Sequence, residues 1–143
     1  MTVRKILEEK GRDVVTLGPD RTLAEATRLL ADKRIGALVI TERDGGIAGI
    51  LSERDIVRVI GEDGADALSR PVSQVMTASV KICRESHTVN EVMEIMTRGR
   101  FRHLPVEVDG RLAGLVSIGD VVKRRIEEAE REAESIRSYI ATA

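Results

Sequence analysis

Apolar positions change their period along the chain, and the changes mark out elements. Val3, Ile6 and Leu7 recur at helical spacing in the opening TVRKIL segment and predict a short amphipathic turn. Val14–Leu17 is an apolar run closed by Gly18-Pro19-Asp20, which predicts a strand followed by a turn. Leu23, Ala26, Leu29 and Leu30 then share one face of a helix that reaches about Lys33, with Asp20 or Thr22 as its cap. Ala37–Thr41 and Ile47–Leu51 are apolar runs joined by Asp44-Gly45-Gly46, the pattern of a hairpin. Ser52 opens a further helix from Glu53 to about Gly61. The order is β-α-β-β-α.

The same order occurs a second time. Gly49, Ser52 and Asp55 recur as Gly114, Ser117 and Asp120, each 65 positions later. Upstream the offset is 66: Thr22 recurs as Thr88, Glu25 as Glu91, Arg34 as Arg100 and Leu38 as Leu104. The missing residue falls where Arg43-Asp44-Gly45-Gly46 shortens to Asp109-Gly110, a hairpin turn that tolerates deletion. Val3, Ile6 and Leu7 are echoed by Val72, Val75 and Met76 at offset 69. The second unit therefore predicts a strand at 80–83, a helix at 88–98, strands at 103–108 and 111–116, and a helix from Ser117. The chain divides by sequence into a first repeat with its opening helix (1–61), a linker (62–70), a second repeat (71–125) and a tail (126–143). A unit of about 60 residues buries little surface alone. The expected fold is α/β (α+β): two repeats packed with pseudo-two-fold symmetry and clefts between them, plus an extended C-terminal helix.

In that last helix Val122, Ile126, Ala129, Ala133, Ile136 and Ile140 follow spacings of 4, 3, 4, 3 and 4, a short heptad seam. Five basic and five acidic residues between Lys123 and Arg137 surround it. The helix either packs along its own module or reaches a second chain.

Composition narrows the function classes. The 143 residues carry 23 Lys+Arg against 24 Asp+Glu, a net charge of −1, which argues against a nucleic-acid partner held by overall basic charge. One Phe, one Tyr and no Trp leave no stacking platform for single strands. A lone Cys83 excludes an intrachain disulfide and a cysteine-rich zinc site; it is expected as a packed core residue. No apolar run is long enough to span a membrane, and the charged N-terminus resembles neither a signal nor a transit peptide, so a cytoplasmic protein without a membrane partner is expected. His87 and His103 are the only histidines, and His87 is expected in a surface turn. Neither a catalytic arrangement nor a metal-ligand cluster recurs between the units, so a non-enzymatic role without a metal centre is expected.

The duplicated Gly-x-x-Ser-x-x-Asp supplies the candidate chemistry. Ser52 and Ser117 stand at strand-to-helix junctions, with Asp55 and Asp120 three residues on. One account is a pair of capping boxes, in which each Ser accepts a backbone N–H and each Asp reaches back. The other uses the same place for a ligand. A helix N-terminus attracts phosphate, a Ser hydroxyl donates to phosphate or sugar, and an Asp accepts from ribose hydroxyls. The glycine three residues upstream leaves room for a close approach. Arg102 and His103 open a strand in the second unit where the first has Gly36 and Ala37, so cationic charge is unequal between the halves. Arg54 is the first motif's own cation, and Gly119 stands at its counterpart.

GILSERD at 49–55, GLVSIGD at 114–120, RIGALVI at 34–40 and RHLPV at 102–106 together resemble a tandem pair of cystathionine β-synthase (CBS) domains, a Bateman module. The resemblance runs from TVRKIL through Lys123. It implies a regulatory module that binds an adenosine-containing ligand, AMP, ADP or ATP foremost and S-adenosylmethionine or NAD(H) as alternatives, in a cleft between repeats. It implies ribose at Asp55 and Asp120. Phosphate would lie at Ser52, Arg54, Ser117, Arg102 and His103, and a base pocket at Thr16, Gly36, Ala37 and Pro105. It also implies a homodimer paired through helix faces, and a protein that the module regulates. The module is similar to the regulatory insert of IMP dehydrogenase, whose catalytic barrel has no counterpart in this chain. A module that binds no ligand and serves assembly is the competing expectation.

Overall fold

The computed structural model describes residues 1–142; Ala143, the last residue of the expected tail, lies outside the described residues. The first half runs α1 (Val3–Lys10), β1 (Thr16–Leu17), α2 (Leu23–Lys33), β2 (Ala37–Thr41), β3 (Ile47–Ser52) and α3 (Glu53–Asp63). The second runs α4 (Val89–Gly99), β4 (His103–Val108), β5 (Arg111–Ser117) and α5 (Ile118–Thr142). Both halves are mixed α/β.

The repeat holds down to single bonds. Thr22 caps α2 by accepting the Glu25 N–H at 3.2 Å, and Thr88 caps α4 by accepting the Glu91 N–H at 3.1 Å. Both helices end on an arginine in left-handed conformation, Arg34 at φ 55° and Arg100 at φ 56°. β2 pairs antiparallel with β3, and β4 with β5, with register shifts after Ile40 and after Val106. The shorter second hairpin turns on Asp109 and Gly110, both at positive φ, as a two-residue turn requires.

One expected strand is not formed as such. β1 lies parallel to β2 and pairs Leu17 with Ile40. Its counterpart at 80–83 shrinks to a single bridge, Cys83 to Val106. Pro105 explains the difference. The Val39 N–H donates to the Val15 carbonyl at 3.4 Å, whereas the aligned Pro105 has no N–H to give to Lys81. Cys83 itself is fully buried, and burial pushes its thiol up to about 12, so it packs as an inert core residue.

Packing is organised differently from the sequence division. Val3, Ile6 and Leu7 of α1 lie in the core of the second half, among Val89, Val92, Leu104, Val106 and Val116. Ala67, Val72 and Val75 lie in the core of the first, among Leu23, Leu38, Ile40 and Leu51. The two segments are exchanged, and the exchange is reciprocal. Val3 N–H donates to the His87 carbonyl at 2.9 Å, and Val72 N–H to the Arg21 carbonyl at 2.7 Å. Val89 N–H donates to Met1, and Leu23 N–H to Arg70, at 3.0 and 2.8 Å. The stretch expected as a linker therefore belongs to the first core. Ala65–Ser69 is a 3-10 turn with Ala67 wholly buried.

The exchanged segments also explain the motif glycines. A Cβ on Gly49 would lie 2.5 Å from Met76 Sδ and 2.8 Å from the Thr77 carbonyl; one on Gly114 would lie 2.8 Å from Leu7 Cδ1. What approaches closely is the protein itself. The α5 helix buries Val121 and Arg124 against the module, while beyond Glu128 it is exposed apart from the half-buried Ala133. Up to Glu128 it packs along its own module, and beyond that residue it leaves it. Among the described residues no helix is long and apolar enough to cross a membrane.

Gly49→Ala and Gly114→Ala should each destabilise the fold by about 1–3 kcal/mol through overpacking. Gly49→Ala should be the worse, because a backbone carbonyl cannot turn aside. Urea denaturation of the two variants measures the order.

Candidate functional site

The β3–α3 junction places Ser52 as the N-cap of α3 and Asp55 in its first turn. The Asp55 N–H donates to Ser52 Oγ at 3.3 Å, and the Ser52 N–H and hydroxyl donate to Asp55 Oδ2 at 2.9 and 3.1 Å. This is a complete capping box. It also fixes the carboxylate, since Asp55 is 7% exposed. Its second oxygen, Oδ1, accepts only a 3.2 Å bond from Arg58, a largely exposed side chain one turn along the same helix.

Asp55 borders a half-open cavity of about 230 Å³ between the halves, at the small end for a ligand site. The first half supplies Gly36, Ile50, Ser52, Glu53, Arg54 and Arg58; the second supplies Val80, Lys81, Arg100, Phe101, Arg102 and His103, and Thr77 lies at the join. Five cations, Arg54, Arg58, Lys81, Arg100 and Arg102, face two carboxylates, Glu53 and Asp55, so the cleft favours an anion. Burial, opposed by Glu53 and reinforced by Lys10 and Arg102, holds the His103 imidazole below its ordinary range. The shift favours the neutral imidazole, and an anion beside it would favour the charged form.

Six of the expected site residues therefore meet: Gly36, Ser52, Arg54, Asp55, Arg102 and His103. Thr16, Ala37, Pro105, Ser117 and Asp120 do not line this cavity. Ala37 and Pro105 are buried on β2 and β4, where they alternate with the core residues Leu38, Ile40, Leu104 and Val106 and so lie on the strand faces turned away from those cores. Thr16 is exposed on β1. Lys81, Arg58, Arg100 and Phe101 were not anticipated. The repeat held the signal for Lys81: the segment before Cys83 is the counterpart of Val14–Leu17, and the first motif faces that segment across the cleft. Arg58 is one helical turn beyond Asp55, a spacing that places both on one face.

The second motif has the same frame. Ser117 N–H donates to Asp120 Oδ2 at 2.9 Å, and Asp120 N–H to Ser117 Oγ at 3.2 Å. Here, however, Lys10 of α1 binds the carboxylate, its Nζ 2.7 Å from Oδ2. Burial alone would raise the Asp120 carboxyl, but the Lys10 ammonium and the Ser117 N–H outweigh it and hold the group below its usual range. His87 accepts the Arg84 N–H at 2.7 Å in a half-buried turn. Among the described residues no cluster of His, Cys, Asp and Glu is arranged to hold a metal.

The CBS domain family model matches residues 3–62 and 72–127. The chain belongs to the CBS domain family. A CBS-domain-containing protein of Agrobacterium tumefaciens, ATU1752, is 51% identical and superposes with a TM-score of 0.84, over 87% of this chain and 99% of that one. The CBS domain-containing protein CBSX3, mitochondrial, of Arabidopsis thaliana is 31% identical over an alignment 147 residues long that covers 97% of this chain and 71% of that protein. The CBS pair of protein MJ0100, solved with 5′-methylthioadenosine and S-adenosylmethionine, has the same fold at 22% identity and a TM-score of 0.80, over 90% of this chain and 98% of that one. CBS pairs of this kind are regulatory modules.

His103 gives the CBS cleft a pH signature. Its folded value lies below the unfolded one, so below about pH 6.5 the unfolded chain binds the extra proton and stability falls with pH. Denaturation midpoints between pH 7.5 and 5.5 should drop more steeply for the wild type than for His103→Gln.

Proposed function

We propose that the chain is a non-catalytic regulatory module that binds an adenine nucleotide at the Asp55 cleft. The observation that carries the reading is a fixed, buried carboxylate at a helix start within a ring of five cations. The carboxylate suits ribose hydroxyls, since Oδ1 keeps only the Arg58 bond and can accept another. Ser52, Arg54, Arg102 and His103 suit phosphate, with Lys81 and Arg100 adding charge. The excess of cations favours AMP, ADP or ATP over S-adenosylmethionine, whose sulfonium the cleft would repel. Gly36 leaves the floor of the cleft without a side chain, within reach of the base. A protein of the same fold that carries adenosyl ligands lends support to this ligand class. Because the walls come from both halves, a bound nucleotide favours one relative packing of the repeats, and a regulated partner protein senses that packing.

Thermal shift tests the reading with AMP, ADP, ATP, NADH and S-adenosylmethionine. At 100 times its Kd a nucleotide adds about 2.7 kcal/mol, roughly 5–11 °C in a domain of this size. ATP or ADP should give a shift that Asp55→Asn abolishes, and S-adenosylmethionine a smaller one. A flat panel on ligand-free protein would contradict it.

A second reading, assembly, is favoured by one observation. Val57 on α3 and Val122, Ile126, Ile136, Tyr139 and Ile140 on α5 are exposed apolar side chains. The α5 residues lie along or beside the seam, and its flanking charges suit a second copy of the chain. In a parallel, in-register pair Arg125 would meet the partner's Glu130, and Glu132 the partner's Arg137. Such a homodimer is compatible with nucleotide binding. Light scattering should give a dimer for the wild type and a monomer for Ile126→Glu/Ile136→Glu; a wild-type monomer would contradict the pairing.

A further inference from the structure

The two motif carboxylates share a backbone frame and differ in what reaches them. Lys10 Nζ donates to Asp120 Oδ2 at 2.7 Å and to the Leu115 carbonyl at 2.9 Å. Leu115 is the counterpart of Ile50, whose carbonyl accepts the Thr77 backbone N–H at 2.9 Å. In the second half an ammonium thus stands where the first half has a backbone donor. It arrives there because α1 is longer than its counterpart. α1 has 8 residues, whereas the equivalent segment at Val72–Gln74 is a 3-10 turn of 3. The added turn ends on Lys10, and Gly11, at φ 100°, leads the chain away.

The surroundings reinforce the difference. Gly36 and Ala37 supply no cation where the other half has Arg102 and His103. The cavity beside Asp120 is about 150 Å³ and includes Ile6, Glu9, Lys10, Lys123 and Arg124 in its walls. Arg124 is already engaged by Glu9 and Glu127. A ribose entering here meets the Lys10 ammonium beside the carboxylate, on the cap oxygen Oδ2 and fixed at a second point by the Leu115 carbonyl, so its positive end stands where a hydroxyl pair would straddle the two oxygens. At Asp55 it meets one longer bond from an exposed Arg58 that is free to turn toward the ligand.

We propose that Lys10 closes the second motif, so that each chain takes one adenine nucleotide, at Asp55, and that removing its ammonium opens a second site at Asp120. This rests on the nucleotide reading of the Asp55 cleft. Lys10 acts by occupying the carboxylate and is not itself a ligand contact.

Calorimetric titration of the full chain with ATP tests it. Wild type and Lys10→Arg should bind one equivalent, Lys10→Met two, and Lys10→Met/Asp55→Asn one. Lys10→Gln carries the same expectation as Lys10→Met should that variant fail to fold by circular dichroism. Two equivalents in the wild type, or one in folded Lys10→Met and Lys10→Gln, would overturn the closure and leave the Asp55 reading intact. No binding by wild type with one equivalent in Lys10→Met would overturn the Asp55 reading and support the closure. No binding by any variant would overturn both.

Discussion

Residues 3–7 complete the hydrophobic core of the second half, and residues 67–75 complete that of the first. Neither half encloses its own core without a segment drawn from outside the contiguous stretch of its sheet and helices. The backbone bonds that fasten the two segments match one for one, Val3 to His87 and Val72 to Arg21, Val89 to Met1 and Leu23 to Arg70. This exchange holds two units, each too small to bury much surface alone, in one relative placement. It also dictates sequence at a distance. Gly49 and Gly114 lack side chains because Met76 and Leu7, the equivalent residues of the two exchanged segments, press against them.

The cleft inherits its form from that placement. Asp55 is set by its own capping box, yet the cations opposite it come from the other half. A site divided in this way responds to, and influences, how the halves pack. The same symmetry that offers two equivalent clefts is broken by small local changes. Arg102 and His103 replace Gly36 and Ala37, and one extra helical turn carries Lys10 to Asp120. The capping account and the ligand account of Ser-x-x-Asp are therefore not rivals. The cap bonds use one carboxylate oxygen of each motif, and the two motifs differ in what reaches the carboxylate beyond the cap.

Much of the fold was legible because the chain states it twice. The caps at Thr22 and Thr88, the two hairpins and the deletion between them all followed from aligned residues. The misplaced features involve partners that alignment of one half on the other does not show. Pro105 was expected to line a base pocket; its visible effect is a missing donor that reduces the neighbouring strand to one bridge. Ala37 alternates with Leu38 and Ile40, the β2 residues that enter the first core, and lies on the opposite strand face, which is also covered. The motif glycines suggest room for a ligand by sequence, and in the structure the exchanged segments fill that room. Lys10 lies 110 residues from Asp120, and its pairing depends on the exact length of α1. The end of α5 keeps its heptad pattern but finds no partner surface among the described residues.

The central claim is that a nucleotide bridges the halves at Asp55. Amide chemical-shift mapping during ATP titration tests it residue by residue. The account predicts shifts at Ser52–Asp55 on one wall and at Lys81 and Phe101–His103 on the other, moving together along one saturation curve, with Ser117–Asp120 little affected. Shifts confined to one wall, centred on Ser117–Asp120, or absent at saturating ATP would contradict it.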